Sequence, residues 1–131
     1  MKGETVSIID DDESLRSAVV RLLRSMGFCA ESFASAHEYL SLRRADDTLC
    51  LIADVEMPGM GGIELQEHLI ILGYETPIIF ITAFPEDQLR DRAMRAGAVD
   101  LLAKPFDETR LLACIQRALL RKRSASDNRR S

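Results

Sequence analysis

Five positions in this 131-residue chain place a reactive side chain at the end of a short apolar run. Asp10 and Asp11 follow Ile8-Ile9, Asp54 follows Leu51-Ile52-Ala53, Thr82 closes Phe80-Ile81, and Lys104, itself followed by Pro105, stands after Leu101-Leu102-Ala103. Three carboxylates brought within a few ångströms repel one another by about 4 kcal/mol per pair at an effective dielectric near 20, so a cation is needed among them. Oxygen-only ligands from a few carboxylates, with the other positions left to water, suit Mg²⁺ better than zinc or copper. A lysine and a threonine hydroxyl in the same pocket would hold an anion against that metal, and phosphate fits the set. An aspartate so placed can act as nucleophile and become an aspartyl phosphate. Asp54 is the candidate, because the Gly-rich turn Gly59, Gly61, Gly62 follows it and lets the backbone bend around a metal, to which Glu56 can offer its carbonyl.

Taken singly, each residue has an ordinary structural role. Asp10, Asp11 or Asp12 alone reads as a helix cap, Asp54 before Met57-Pro58-Gly59 as a turn residue, Lys104-Pro105 as a loop, and Thr82 as a strand-end hydroxyl bonded to nearby backbone. Their joint occurrence at four strand ends favours chemistry. His37 and His68 fall inside helical segments and read as surface or packing residues.

The elements that must bring these groups together are visible in the hydrophobic pattern. Five times in the first 120 residues a short apolar run, a polar turn and a stretch of helical spacing follow one another, which implies a parallel sheet flanked by helices. Strands are expected at 5–9, 28–33, 49–53, 77–82 and 98–103. The first helix turns Leu15, Ala18, Val19, Leu22, Leu23 and Met26 inward and ends at Gly27. Ser35 and Glu38 form a capping box for the second, and a loop spans 43–48. The third runs over 63–72 and stops at Gly73, the fourth takes Pro85 and Glu86 into its first turn and ends near Gly97, and Asp107 caps the fifth, with Leu111, Leu112, Ile115, Ala118 and Leu119 inward. In such a doubly wound fold the ligand site lies beyond the carboxyl ends of the strands, and strand order 2-1-3-4-5 would make all five reactive groups neighbours.

Composition bounds the alternatives. The length is that of one ordinary domain, and 47% apolar residues are enough for a single core. A net charge of −4 argues against a surface built to hold a nucleic-acid backbone. No apolar run approaches the roughly 18 residues of a membrane span, and acidic residues stand where a secretory signal would be apolar, so the chain reads as cytoplasmic. Cys29, Cys50 and Cys114 are odd in number and set among apolar neighbours, which suits buried thiols rather than a disulfide or zinc framework. Residues 121–131 differ from the rest, with five basic groups and one acidic, while residues 1–120 carry a net charge of −8. The basic end reads either as a solvated tail or linker, frayed from a helix whose carboxyl terminus favours cations, or as a contact for nucleic acid or an acidic partner.

Ile8-Ile9-Asp10-Asp11, the stretch from Asp54 to Gly62, Thr82-Ala83, Ala96-Gly97-Ala98 and Lys104-Pro105-Phe106, in this order and spacing, closely resemble the receiver domain of bacterial two-component response regulators over residues 4–120. The resemblance implies a flavodoxin-like (βα)5 domain of strand order 2-1-3-4-5. By it, Asp54 takes a phosphoryl group from the phosphohistidine of a sensor histidine kinase or phosphotransfer protein. Asp10, Asp11, Asp54 and the Glu56 carbonyl bind Mg²⁺, Thr82 and Lys104 contact the phosphoryl group, and the Lys104–Pro105 bond is cis. Phosphorylation would then switch the face of the fourth helix, fifth strand and fifth helix for a partner or a homodimer. The Ala96–Asp100 segment and the basic tail resemble receivers of the nitrogen-fixation-regulator type, which usually precede a DNA-binding domain. No such domain lies within 131 residues, so the chain is either a stand-alone protein or an excised fragment, with residues 1–120 not expected to touch nucleic acid directly.

Two residues depart from the family pattern. Leu101 stands where receivers usually carry a switching Tyr or Phe, which leaves Phe84 as a substitute gate or a simple shield of the pocket. The Glu56 side chain is expected over the phosphoryl group, where its charge would change the lifetime of the acyl phosphate. Two other functions compete. A Mg²⁺-dependent phosphatase of the haloacid dehalogenase type would need an aspartate where Glu56 stands. A phosphorylation-independent interaction module would be expected to lose one or more of the site residues, and all are present.

Overall fold

The five apolar runs pair side by side as parallel strands. In this computed structural model, which describes residues 5–42 and 45–130, β1 (Thr5–Ile9), β2 (Cys29–Phe33), β3 (Thr48–Asp54), β4 (Ile78–Thr82) and β5 (Asp100–Ala103) form one sheet in the order β2-β1-β3-β4-β5. The helices are α1 (Glu13–Ser25), α2 (Ala36–Leu42), α3 (Gly62–Ile71), α4 (Asp87–Arg95) and α5 (Glu108–Arg130), with a short 3-10 turn at Ala45–Asp47 inside the stretch expected to be a loop, whose residues 43 and 44 lie outside the described residues. This is the flavodoxin-like arrangement that the sequence implied.

Two apolar layers hold the sheet. On one face α1 and α5 press Val19, Leu23, Leu111, Ile115 and Ala118 onto Val6, Ile8 and Ile52. On the other, Tyr39, Leu65, Leu69 and Ala93 from α2, α3 and α4 cover Ile9, Leu51, Phe80 and Leu101. All five residues of β4 are buried, as a central strand covered on both faces requires. The Tyr39 hydroxyl, fully inside, pairs with Thr48 Oγ1 at 2.7 Å. Ser7 Oγ is buried in β1 with no hydrogen-bond partner.

Local signals are met where a cap or a turn fixes them. Asp12 Oδ1 accepts from Leu15 N at 3.2 Å and starts α1, Ser35 Oγ accepts from Glu38 N at 3.1 Å, and Asp107 Oδ1 accepts from Arg110 N at 2.7 Å. Gly97 has a φ of +90°, a left-handed turn that closes α4 and leads toward β5.

Several expectations are corrected. Helix α4 starts at Asp87 and not at Pro85, because the chain first makes a tight turn in which Glu86 N donates to Phe84 O at 2.9 Å, leaving Glu86 as an extended N-cap. Strand β5 starts at Asp100 rather than residue 98, since the amides of Gly97 and Ala98 still bond back to Met94 O and Ala93 O of α4. Ala18 is exposed: it borders an open groove lined by Leu15, Val19, Leu22, Pro105 and Phe106 instead of lying under α5. Cys29 is exposed because β2 is an edge strand with one poorly covered face, whereas Cys50 and Cys114 are buried as expected. The change of composition near residue 121 does not end α5, which continues to Arg130. Arg121 is anchored to the domain body, its guanidinium donating to Gly97 O at 2.8 Å and Ala98 O at 3.2 Å, carbonyls at the negative end of α4. Among the described residues no helix is long and apolar enough to cross a membrane.

A second tie joins α4, β5 and α5. Asp100 accepts from Arg90 Nη1 at 3.1 Å and from Arg117 Nη2 at 2.8 Å, and Arg90 also reaches Leu101 O at 3.1 Å. Burial alone would raise the Asp100 pKa, but the hydrogen bonds from Arg117, the Leu101 amide and Arg90 outweigh it and hold the carboxyl below its ordinary value of 3.8. A depressed carboxyl stabilises the fold above its unfolded pKa, and that contribution is lost as pH falls through the lower, folded value. Asp100→Asn should therefore cost about 1 kcal/mol in urea unfolding at neutral pH, the range of part-exposed ion pairs, with the gap to the parent closing below the carboxylate range. A tighter constraint lies at the start of α3. A Cβ on Gly62 would sit 2.6 Å from Asp54 O and 3.2 Å from Phe80 Cδ1. Gly62→Ala is expected to lose about 1–3 kcal/mol on the same assay, because the backbone of Asp54 must shift to admit it.

Candidate functional site

Sheet order makes the carboxyl ends of β1, β3, β4 and β5 consecutive neighbours. Asp10, the residue after β1, is fully buried, and Asp54 is the last residue of β3 at 5% exposure. Strand β3 runs one residue further at each end than expected, and its last residue, Asp54, pairs with Ile81 of β4, so the acid is held by the sheet itself. Lys104 follows β5, and its amide donates to Thr82 O at 2.7 Å, which aims the chain back across the end of β4. The Lys104–Pro105 bond is cis, as the resemblance implied.

One ammonium joins the two buried acids. Lys104 Nζ donates to Asp10 Oδ2 at 2.7 Å and to Asp54 Oδ2 at 2.8 Å. The other oxygen of each acid accepts a backbone amide two residues on: Asp12 N to Asp10 Oδ1 at 2.9 Å and Glu56 N to Asp54 Oδ1 at 3.0 Å. Asp11 is exposed above them, and carboxylate oxygens of Asp10, Asp11 and Asp54 lie within 4.8 Å of one another. His37 and His68 are exposed on α2 and α3, as read from the sequence.

The electrostatics follow from one cation shared by two anions. Burial is the largest influence on Asp54 and raises its pKa. The hydrogen bonds from Lys104 and the Glu56 amide oppose this, the Asp10 charge adds to it, and the result stays above 3.8. For Lys104 burial works the other way, lowering the pKa, but hydrogen bonds to Asp10 and Asp54 together with their charges outweigh it and leave the ammonium above 10.5. The lysine gains two partners while each acid gains half of one, so the site as a whole remains short of positive charge. Three oxygen donors without nitrogen or sulfur fit a hard divalent cation such as Mg²⁺.

Thr82 closes β4 as expected, and the Glu56 side chain is bonded to it. Thr82 is fully buried at the end of β4, and its hydroxyl is turned to the Glu56 side chain, donating to Oε1 at 2.5 Å and accepting from Phe84 N at 3.0 Å. Glu56 thus reaches sideways to a hydroxyl in place of lying free over Asp54. The Phe84 ring is 66% exposed and lines an open pocket with Val55 and Glu56, whereas Leu101 is buried at 2% in the layer beneath α4. Two contributors escaped sequence reasoning. Arg16 Nη1 donates to Asp10 O at 2.7 Å, and the helical periodicity that puts position 16 one turn past the Asp12 cap was the available signal. Glu64 Oε2 accepts from Gly61 N at 2.7 Å and fixes the turn after Asp54, a capping residue legible three positions beyond Gly61.

Residues 6–116 match the family model described as "Response regulator receiver domain". The chain is 39% identical to Nodulation protein W of Bradyrhizobium diazoefficiens over 96% of its own length and 56% of the relative's, and 40% identical to the response regulator protein TodT of Pseudomonas putida over 90% and 52%. It is 35% identical to the transcriptional regulatory protein FixJ of Azorhizobium caulinodans over 87% of this chain and 54% of that one. The chain therefore spans about half the length of these relatives. Among solved structures it superposes on the response regulator StyR with a TM-score of 0.85 at 44% identity, covering 95% of this chain and 65% of that one. The FixJ amino-terminal domain gives a TM-score of 0.80 at 35% identity, over 91% and 95%. With its residues 6–116 matched, its strand order shared and its buried acids bridged by one lysine, the chain belongs to the response regulator receiver domains of two-component systems.

Proposed function

We propose that Asp54 accepts a phosphoryl group from the phosphohistidine of a sensor histidine kinase or phosphotransfer protein, and that the modified domain presents an altered α4-β5-α5 face to a partner or to a second copy. The observation that carries this reading is the pair of buried carboxylates sharing the Lys104 ammonium at 2.7 and 2.8 Å. In the transfer, a bond forms between an Asp54 carboxylate oxygen and phosphorus while the phosphorus–nitrogen bond breaks, its electron pair going to the imidazole nitrogen. Lys104 is already within reach of Asp54 and has three protons to donate, so it can turn one toward a phosphoryl oxygen while holding Asp10. The Thr82 hydroxyl, at the neighbouring strand end, is the second donor for that oxygen set.

Asp10, Asp11 and Asp54, with the Glu56 carbonyl, would hold Mg²⁺, whose chemistry there is to neutralise charge on the transferring group. Residues 1–120 serve as the phosphoacceptor domain, and 121–131 as a basic tail or linker. The chain spans about half the length of its curated relatives, and any control of transcription would be exerted through an output domain that residues 1–131 do not include. The domain catalyses only the phosphorylation and dephosphorylation of its own Asp54, and a cytoplasmic setting suits its kinase partner. The face proposed to change is the one already tied together by Asp100, Arg90, Arg117 and Arg121.

Intact-mass measurement after incubation with a small acyl phosphate tests the reading. The parent should gain one metal-dependent, base-labile phosphoryl adduct and Asp54→Asn none; an adduct on both, or on neither, would sink it. Stability gives a second check. Because the Asp54 carboxyl is raised in the fold, its ionised form destabilises the folded state above that pKa, and the penalty vanishes as pH falls to 3.8 and below. Asp54→Asn should thus raise the thermal midpoint in metal-free buffer at neutral pH, with a difference that shrinks on acidification. Added Mg²⁺ should stabilise the parent more than the variant.

A further inference from the structure

A hydroxyl has one proton to give. On buried Thr82 that proton goes to Glu56 Oε1, while the Phe84 amide, 3.0 Å away, occupies a lone pair of the Thr82 hydroxyl oxygen. Glu56 is itself held in place, since its amide donates to Asp54 Oδ1 at 3.0 Å. The segment that carries the acceptor acid therefore also returns a carboxylate to the hydroxyl on the neighbouring strand. A bond from a neutral hydroxyl to a carboxylate is among the stronger kinds, and it is the hydrogen bond that ties the exposed Glu56 side chain to the end of β4.

We propose, building on the phosphoacceptor reading, that Glu56 is a positioning residue: its carboxylate and an oxygen of a phosphoryl group on Asp54 compete for the single Thr82 proton, and Glu56 holds Thr82 in the resting orientation until the phosphoryl oxygen displaces it. When the hydroxyl turns, Phe84 N loses its acceptor, which links the exchange to the exposed loop before α4. Leu101 beneath is aliphatic and already buried, so this loop, and not a ring moving inward on β5, registers the change. The competition also gives Glu56 an effect on the modified state opposite to that of Lys104 and Thr82.

Beryllofluoride with Mg²⁺, a phosphoryl analogue, provides the probe, with binding in every variant read by fluorine NMR of the bound analogue and the resting contact read by the Thr82 methyl resonance where Thr82 is present. Losing a hydrogen bond to a charged acceptor should tighten apparent affinity about tenfold or more in Glu56→Ala, and less in Glu56→Gln, which keeps the reach without the charge. Glu56→Asp, one methylene short of the hydroxyl, should behave like the alanine variant although it retains the charge. In a Thr82→Val background the same Glu56 substitutions should change nothing, because no proton remains to compete for. An equal gain in both backgrounds would mean that Glu56 acts by its charge alone, and would overturn the proposal. In metal-free protein without the analogue, Glu56→Ala should move the Thr82 methyl resonance; an unmoved resonance would overturn it independently. Failure of the parent to bind the analogue, with the methyl shift intact, would count against the phosphoacceptor reading and leave the resting contact established.

Discussion

A single ammonium between two buried carboxylates is the constraint on which the site depends. Lys104 must reach from the end of β5 past the end of β4 to acids on β3 and β1, contacts separated by 50 and 94 residues in the chain. Only a long apolar stem with a charged tip makes that span through a partly buried pocket. The acids in turn hold one another's loops: each gives its second oxygen to an amide two residues on, so the turns leaving β1 and β3 are built around the same charges that the lysine satisfies. Such long-range contacts form only after the strands are in order, so the sheet must be assembled before the pocket exists. The cost of burying two acids side by side is held in check by the shared ammonium and the backbone amides, with the Asp54 carboxyl raised above its ordinary value as the remaining imbalance.

Much of this was legible in the residues because the physics is local. An apolar run that stops at an acid, a hydroxyl or a lysine marks a strand end, and Asp54, Thr82 and Lys104 were found by that change of type. Caps at Asp12, Ser35 and Asp107 were readable because a short side chain can reach only its own helix start. The strand order and the cis bond came from family resemblance, since periodicity fixes which face a residue occupies but not which strand lies beside which. What escaped was decided by long side chains and by element edges. Spacing put Glu56 near Asp54 and left the direction of its carboxylate open. Ala18 lies on the margin of a buried stripe, Cys29 on a sheet edge, and Arg121 finds carbonyls just past the end of α4; each depends on a neighbour far away in the chain.

The far corner of the domain shows the same economy. Asp100 opens β5 with two arginines on it, one from α4 and one from α5, while Arg121 grips the carbonyls where α4 ends. Exposed ion pairs of this kind add little stability individually. They do fix how two helices and a strand meet, on the face where a signalling domain is proposed to present its change of state. Continuity of α5 through this contact means that its basic end is attached to the body by a helix and not by a loop.

The crowding at the turn after β3 has a last consequence. Added carbons at positions 61 and 62 would come within 2.5 Å of Val55 O and 2.6 Å of Asp54 O, so the backbone behind the acid has no room to recoil. Across the pocket, residues 83–86 lie open to solvent. Of the two walls, the close-packed backbone has no room to yield, and the other, on the side of α4, faces water.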